Sequence, residues 1–327
     1  MKIQDIKSPS LFFVNAIGDA FISLPTIRSL NKTFNGNLAV ITNSFLKPLF
    51  EEEGLKEIRT INSDIRYDDQ NRAMYHFDIP DFKSVLNGTD FFIDINPWHV
   101  ADNLNEFITL IKSVGINSIG YFDFYAEHIS PDYRINSFDN VFRIACHINQ
   151  QEAIDQYAYP PKVRKNIEEF TRGIRNYFPE DFILLGLHDE TKPYKMWQAG
   201  KFELLINELQ SRYSNLGILI LSRSTSIDME NIYDGGRVLY FEDPLSIQVM
   251  TGFVSAIDYF IGIDSMFLHL ADMYKVPSIG LFGPTNYREW GFRFTEGKEI
   301  ISPTGKMEDI PLELVLHEMI QLIEKTK

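Results

Sequence analysis

Short apolar runs of strand length alternate with amphipathic stretches through both halves of this chain, and few folds accommodate that alternation. In the first half, residues 11–14, 38–42, 91–95 and 118–122 read as strands. Leu24, Ile27 and Leu30 at helical spacing predict a helix running to about Thr33, after a loop over Asn15-Ala16-Ile17-Gly18-Asp19. Pro25 suits the first turn of that helix and predicts a kink if it lies deeper. Residues 45–53 and 103–114 read as two more helices. In the second half, strands over 182–187, 218–221, 259–263 and 277–282 alternate with helices over 163–177, 201–213, 247–256, 267–274 and 311–327. Such alternation builds α/β units with mostly parallel sheets. Ligands of such units sit beyond the carboxyl ends of the strands, so the loops there are where chemistry is sought.

A chain of 327 residues is too long for one ordinary core. Tyr157-Ala158-Tyr159-Pro160-Pro161 punctuates it near the middle, because two prolines stop any helix and the pattern restarts beyond them. The expected division is a first domain over 1–158, a second over 159–310, and a closing helix over 311–327 that is free to pack back on the first. A net charge of −14 argues against nucleic acid as a partner, since a phosphate backbone is held by clustered Lys and Arg. Cys146 is the single cysteine, which excludes an intramolecular disulfide and a cysteine-based zinc site. The longest apolar runs fall far below the roughly 18 residues that span a bilayer. Met1-Lys2-Ile3-Gln4-Asp5 lacks the basic and apolar pattern of a secretory leader, so a cytoplasmic location is expected.

Three segments carry candidate chemistry. Gly18 permits a tight turn after the first strand and Asp19 follows it, as a general base or as a helix N-cap. Thr191 and Lys195 stand in the loop after the strand at 182–187, where hydroxyl, ammonium and backbone N–H groups suit a diphosphate; Trp197 would dock the next helix on the sheet. Asp264, Ser265 and Met266 follow the strand at 259–263. Ser265 opens a helix whose first N–H groups form an anion site, and His269 lies one turn on. Gly283 would let backbone approach a ligand, with Thr285 beside it. Taken singly, each also reads as a cap, a solvated lysine or a packed core histidine.

Their order along the chain resembles glycosyltransferase family 9, the lipopolysaccharide heptosyltransferases and their relatives. Ile17-Gly18-Asp19 with Leu24-Pro25 is similar to the family's N-terminal signature, and Phe91-Phe92-Ile93-Asp94 to its strand with a closing Asp. Lys195-Met196-Trp197 resembles its Lys-x-Trp-Pro segment, with Gln198 in place of proline. Asp264-Ser265 through His269-Leu270-Ala271 resembles its Asp-(Thr/Ser)-Gly-x-x-His-x-Ala segment, continuing into Gly283-Pro284-Thr285. Two positions depart from the family. Met266 stands where glycine is usual, and Ile218 through Ser224 lacks the glycine-rich turn and following Glu expected near the donor nucleoside, Asp228 being a candidate substitute.

The resemblance implies two facing Rossmann-like domains in the GT-B arrangement and inverting transfer of a heptose or related sugar in surface-glycan synthesis. It implies Asp19 as catalytic base. Gly18, Thr191, Lys195, Asp264, Ser265, Met266, His269, Gly283 and Thr285 are then the donor-binding set. The implied partners are a nucleotide-diphosphate sugar and a glycan or lipid-linked acceptor, with peripheral contact at the inner membrane face. No cofactor and no metal are expected, because no paired-carboxylate segment stands at a strand end; Tyr67-Asp68-Asp69 reads as a solvated turn. The rival readings are a sugar-nucleotide epimerase or hydrolase of the same architecture, and a catalytically silent binding homologue.

Overall fold

A computed structural model describes residues 3–325, apart from 68–72, 99–100, 223, 234 and 242–244. Asp68 and Asp69 of the expected turn therefore lie outside the described residues. The chain forms two compact units, Met1–Lys162 and Val163–Lys327.

The first unit carries β1 (Pro9–Phe12), β2 (Ala39–Thr42), β3 (Glu57–Thr60), β4 (Ser63–Tyr67), β5 (Ala73–Phe77), β6 (Phe91–Asp94), β7 (Asn117–Gly120) and β8 (Glu127–His128). Six of these form a parallel sheet in the order β3-β2-β1-β6-β7-β8, and β4 pairs antiparallel with β5 as a separate hairpin. The second unit carries β9 (Ile183–His188), β10 (Leu216–Ile220), β11 (Val238–Tyr240), β12 (Tyr259–Ile263), β13 (Ser278–Phe282) and β14 (Gly297–Ile301). These form a second parallel sheet, β11-β10-β9-β12-β13-β14. With the hairpin set aside, both sheets share the doubly wound order 3-2-1-4-5-6. Strand order reverses between β1 and β6 in one unit and between β9 and β12 in the other, and those switch points are where such sheets hold ligands.

The central strands are buried on both faces, which is why they read as uninterrupted apolar runs. Helices on each side complete the layers. In the first unit the core is aromatic: the Phe12 ring meets those of Phe77, Phe82, Phe92 and Phe107 at centroid distances of 5.5, 5.0, 6.0 and 5.5 Å. The second unit's core is mostly Leu and Ile, with Trp197 set edge-on to Phe202 at 4.9 Å. Trp197 also donates its indole N–H to the Ile310 carbonyl at 3.1 Å, so it docks the helix Ala199–Arg212 as its position suggests.

The first helix starts earlier than the sequence reading expects. The helix Ile17–Thr33 begins two residues before Asp19, so Gly18 and Asp19 are helical and not part of a loop. Pro25 lies inside that helix, leaving the Phe21 carbonyl without its usual i+4 donor. The closing helix Leu312–Lys325 buries Val315, Met319 and Ile323 in the second unit's core, against the helix Ala199–Arg212.

The Tyr157–Pro161 segment is held firmly. Arg28 Nε and Nη2 each reach Glu53 at 2.7 Å, while Nη1 donates to the Tyr157 and Tyr159 carbonyls at 2.8 and 2.6 Å. The guanidinium lies 3.8 Å from the Tyr159 ring centroid. Both charged side chains are almost fully buried, and the carbonyls satisfy the guanidinium N–H groups that Glu53 does not reach.

Candidate active site

At the second unit's switch point, β12 ends at Ile263 and Asp264 follows, 5% exposed. Lys195, at the end of the 3₁₀ turn Pro193–Lys195 beyond β9, places Nζ 2.6 Å from Asp264 Oδ2. A buried carboxylate is thus compensated by a half-buried ammonium, two of whose three N–H groups are not used in that bond. Lys195 is therefore no free lysine in a loop.

Ser265 is the N-cap of the helix Met266–Met273 in extended conformation, yet its side chain makes no capping bond. Its Oγ is buried with no hydrogen-bond partner, and so is Thr285 Oγ1 in the loop after β13. Buried hydroxyls normally find partners, so two orphans at neighbouring strand ends call for an explanation. Met266 is the first helical residue and half-buried, its side chain occupying the place a glycine would leave open. His269 is 5% exposed one turn along. Burial pushes its pKa down to about 4; Asp264 pulls it up and Lys195 pushes it further down. The ring is neutral at pH 7 and faces Trp290 at 6.1 Å. Thr191 is half-buried in the loop after β9.

Gly283 lies tight against Met307. A Cβ there would lie 2.7 Å from Met307 Sδ and 3.1 Å from Met307 N, so the glycine admits Met307. The carboxylate of Asp228 accepts from Glu230 N at 3.0 Å, capping the turn Met229–Asn231, so Asp228 is a cap here.

Gly18 and Asp19 stand at the first unit's own switch point. Ala16 is the N-cap and Asp19 the third helical residue, where a carboxylate favours the helix dipole without being the cap. Across from β1, Asp94 ends β6 and is 5% exposed. Its Oδ1 accepts from Asn96 N and Nδ2 at 2.9 and 2.7 Å, and its Oδ2 from the Tyr125 hydroxyl. Burial pushes its pKa up to about 6, more than those hydrogen bonds pull it down.

Several buried polar groups are not legible in the sequence. Asp189, fully buried after β9, accepts from Thr225 Oγ1, Ser226 N and Ser226 Oγ at 2.8, 2.9 and 3.0 Å, and from Ser222 Oγ. His188 hydrogen-bonds the Leu221 carbonyl at 2.7 Å. Asp272 accepts from the N–H groups of Arg293, Phe294 and Thr295, each at 2.8 Å, and fixes that loop. The only local signal was an Asp-Glu pair closing one strand and a run of hydroxyl residues closing the next.

Comparison with known proteins places this geometry. The model of glycosyltransferase family 9 (heptosyltransferase) matches residues 123–310, more than half of the chain. No curated protein matches at the sequence level. Among solved structures, a family 9 glycosyltransferase from Veillonella parvula superposes with TM-score 0.76 at 14% identity, covering 98% of this chain and 97% of that one. The E. coli ADP-heptose lps heptosyltransferase II gives 0.70 at 12% identity, over 98% and 99% of the two chains. E. coli heptosyltransferase WaaC with ADP gives 0.67 at 14%, over 97% and 100%. At these identities the structures show the shared fold, and the family match adds the rest: the chain belongs to glycosyltransferase family 9, the heptosyltransferase family.

Proposed function

We propose that the chain transfers a sugar, heptose or a near relative, from a nucleoside diphosphate donor to an acceptor hydroxyl with inversion and without a metal ion. The observation that carries this reading is the second switch point: an ammonium fixed on a buried carboxylate, with two buried hydroxyls lacking partners. Lys195 donates its remaining N–H groups to the diphosphate, and Ser265 and Thr285 turn their hydroxyls to it. The N–H groups at the start of Met266–Met273 add the positive end of a helix. His269, neutral at pH 7, holds that helix against Trp290 and carries no charge into the site.

Chemically, the acceptor oxygen forms a bond to the anomeric carbon while the bond from that carbon to the phosphate oxygen breaks. The electron pair leaves with the nucleoside diphosphate, where preorganised donors contribute on the order of 10²-fold or more each. Asp19 takes the acceptor's proton, a role worth about 10²–10⁴-fold. One displacement inverts the anomeric centre. The acceptor in this reading is a glycan or lipid-linked sugar met at the cytoplasmic face of a membrane. Among the described residues no helix is long and apolar enough to cross one.

A thermal-shift panel of nucleotide sugars, followed by transfer assays with the stabilising donor, tests the proposal. At least one nucleotide sugar should raise the melting temperature. If none does, and none is transferred or hydrolysed, the chain is a silent homologue and the proposal falls. Epimerised nucleotide sugar as the product would replace transfer with the rival chemistry.

A further inference from the structure

Three neighbouring strands of the first sheet, β2, β1 and β6, are each followed within three residues by an asparagine. These are Asn43, Asn15 and Asn96, which are 4, 8 and 1% exposed. Phe12 on β1 is in register with Ile41 on β2 and with Asp94 on β6, so two residues further on Asn43 and Asn96 stand on either side of Val14. Neighbouring strands lie about 4.8 Å apart, which separates those two backbones by roughly 10 Å across β1. Such a gap suits one sugar unit held between two side chains. The helix that carries Gly18 and Asp19 starts at the same switch point.

Each of the two outer amides is turned by a neighbour and has one atom left over. Asn96 Nδ2 donates to Asp94 Oδ1 at 2.7 Å, which commits the NH2 end to the carboxylate and directs the amide oxygen away from it. That oxygen is buried with no hydrogen-bond partner. Asn43 shows the reverse. Its Oδ1 accepts from the Thr42 hydroxyl at 3.4 Å, and its Nδ2 is buried with no partner. An orphaned donor on one side of Val14 therefore complements an orphaned acceptor on the other. Buried amide groups normally find partners, and a ligand hydroxyl both accepts and donates. The charges point the same way. Residues 13–15, 43–46 and 95–98, which close the three strands, include neither Lys nor Arg, whereas the loop after β9 presents Lys195 beside Asp264.

We propose that Asn43 and Asn96 read the acceptor, one giving and one taking a hydrogen bond, and that the acceptor unit is an uncharged sugar with adjacent hydroxyls. This rests on the reading of the chain as a sugar transferase whose acceptor meets Asp19 at the first switch point. It names the acceptor's chemical class: neutral amides at the strand ends select hydroxyls and offer no cation to a carboxylate or a phosphate.

The test pairs a nucleotide sugar that stabilises the protein with a panel of methyl glycosides as acceptors: neutral hexosides and heptosides, their monodeoxy forms, and uronic acid and sugar phosphate counterparts. Wild type should transfer to a neutral glycoside, and one of its monodeoxy forms should show an acceptor KM about 3- to 10-fold higher, the size of one neutral hydrogen bond. Asn43→Leu, of similar shape and without the orphaned N–H groups, should raise the acceptor KM and erase that deoxy ratio. Its melting temperature and its affinity for the nucleotide sugar should not fall. Asn96→Ala should raise the acceptor KM in the same way; if it does not fold, Asn43→Leu decides alone. Transfer confined to the acidic or phosphorylated glycosides, or to none of the panel, overturns the assignment. So does an unmoved acceptor KM in Asn43→Leu, which would make the amide a structural one. Donor binding and donor hydrolysis, measured without an acceptor, would survive either result and keep the donor reading standing. If no nucleotide sugar binds or is hydrolysed, the transferase reading falls first and this assignment with it.

Discussion

The two sheets share one strand order, yet their switch points hold an aspartate in opposite ways. Asp264 ends β12 beside an ammonium 2.6 Å away, with unpartnered hydroxyls nearby. Asp94 ends β6 among neutral donors, Tyr125 and Asn96, and burial pushes it up to about 6. The same topology places a carboxylate at the same point in each unit. A cation partner compensates one of them, whereas neutral partners make the other a pin for the loop that carries Tyr125. Fold sets where the acid goes, and the neighbouring loops set what it does.

That contrast leaves the first unit's chemistry to Asp19, and the largest expected effect lies there. Asp19→Asn should fold normally, since Asn at the third helical position loses only a modest dipole interaction. Transfer should fall by at least about 10²-fold, because an amide cannot take the acceptor's proton. Donor binding on the same preparation should be nearly unchanged, which separates a lost base from a lost ligand contact. Transfer at the wild-type rate would place the base elsewhere and remove the first switch point from the chemistry.

The next effect sharpens the difference between the two aspartates. Asp94 has a folded pKa near 6 against 3.8 when unfolded, so the native state holds the proton more tightly. Its contribution to stability is therefore full below about pH 4 and is lost as pH rises through 6, on the order of 3 kcal/mol across the window. Asp272, also raised to about 6 by burial, slopes the same way. His269, lowered to about 4, slopes oppositely, losing stability as pH falls from 6.5 towards 4. Denaturant titrations of wild type and Asp94→Asn between pH 4 and 7 isolate the first term as a difference. A difference that does not vary with pH would mean Asp94 is charged throughout and that the contrast with Asp264 is wrong.

Lys195→Ala probes the other side. A charge-assisted contact to a diphosphate is worth about 1.5–3 kcal/mol, so nucleoside diphosphate affinity should drop roughly 10- to 100-fold by calorimetry. The variant should also lose stability, because Asp264 is left buried without its partner. Lys195→Ala combined with Asp264→Asn should recover stability without recovering affinity. Undiminished affinity in the single variant would make the ion pair purely structural.

The second unit was more legible in sequence than the first, for a physical reason. Its strands are aliphatic runs closed by polar loops, and 259–263 is found where the pattern put it. In the first unit β4 and β5 mix polar and apolar residues, and β8 has only two residues, so neither gives a run to detect. The helix Ser137–Ile148 carries its signal in the Asn136 cap and in Phe138, Val141, Phe142 and Ala145 at helical spacing, although no helix is expected there from the strand–helix alternation. For the site, Lys195 and Asp264 were picked out singly and by family resemblance. Their pairing across 69 positions, and the ties of Asp189 to hydroxyls 33 to 37 positions away, depend on strand order and leave no local trace.

The smallest expected effect is the one that best separates a ligand site from a structural one, and it compares two buried hydroxyl settings. In the first unit the Ser10 and Thr89 hydroxyls bond each other at 2.8 Å and both accept from Arg59 Nη1, at 3.4 and 3.1 Å, so each hydroxyl is fully partnered within the protein. In the second, Ser265 Oγ is buried with no partner and makes no cap bond. Ser265→Ala therefore removes an unsatisfied polar atom without breaking a protein hydrogen bond. The ligand-free protein should keep its stability or gain up to about 1 kcal/mol, against the 0.5–2 kcal/mol loss that follows when a working N-cap is deleted. Nucleoside diphosphate affinity should fall by about 3- to 10-fold, the size of one neutral hydrogen bond. Chemical denaturation without ligand and calorimetry with it read both quantities on the same samples. Lost stability with unchanged affinity would make Ser265 a cap whose bond forms in solution. Opposite signs in the two measurements would mark its hydroxyl as one held ready for the donor.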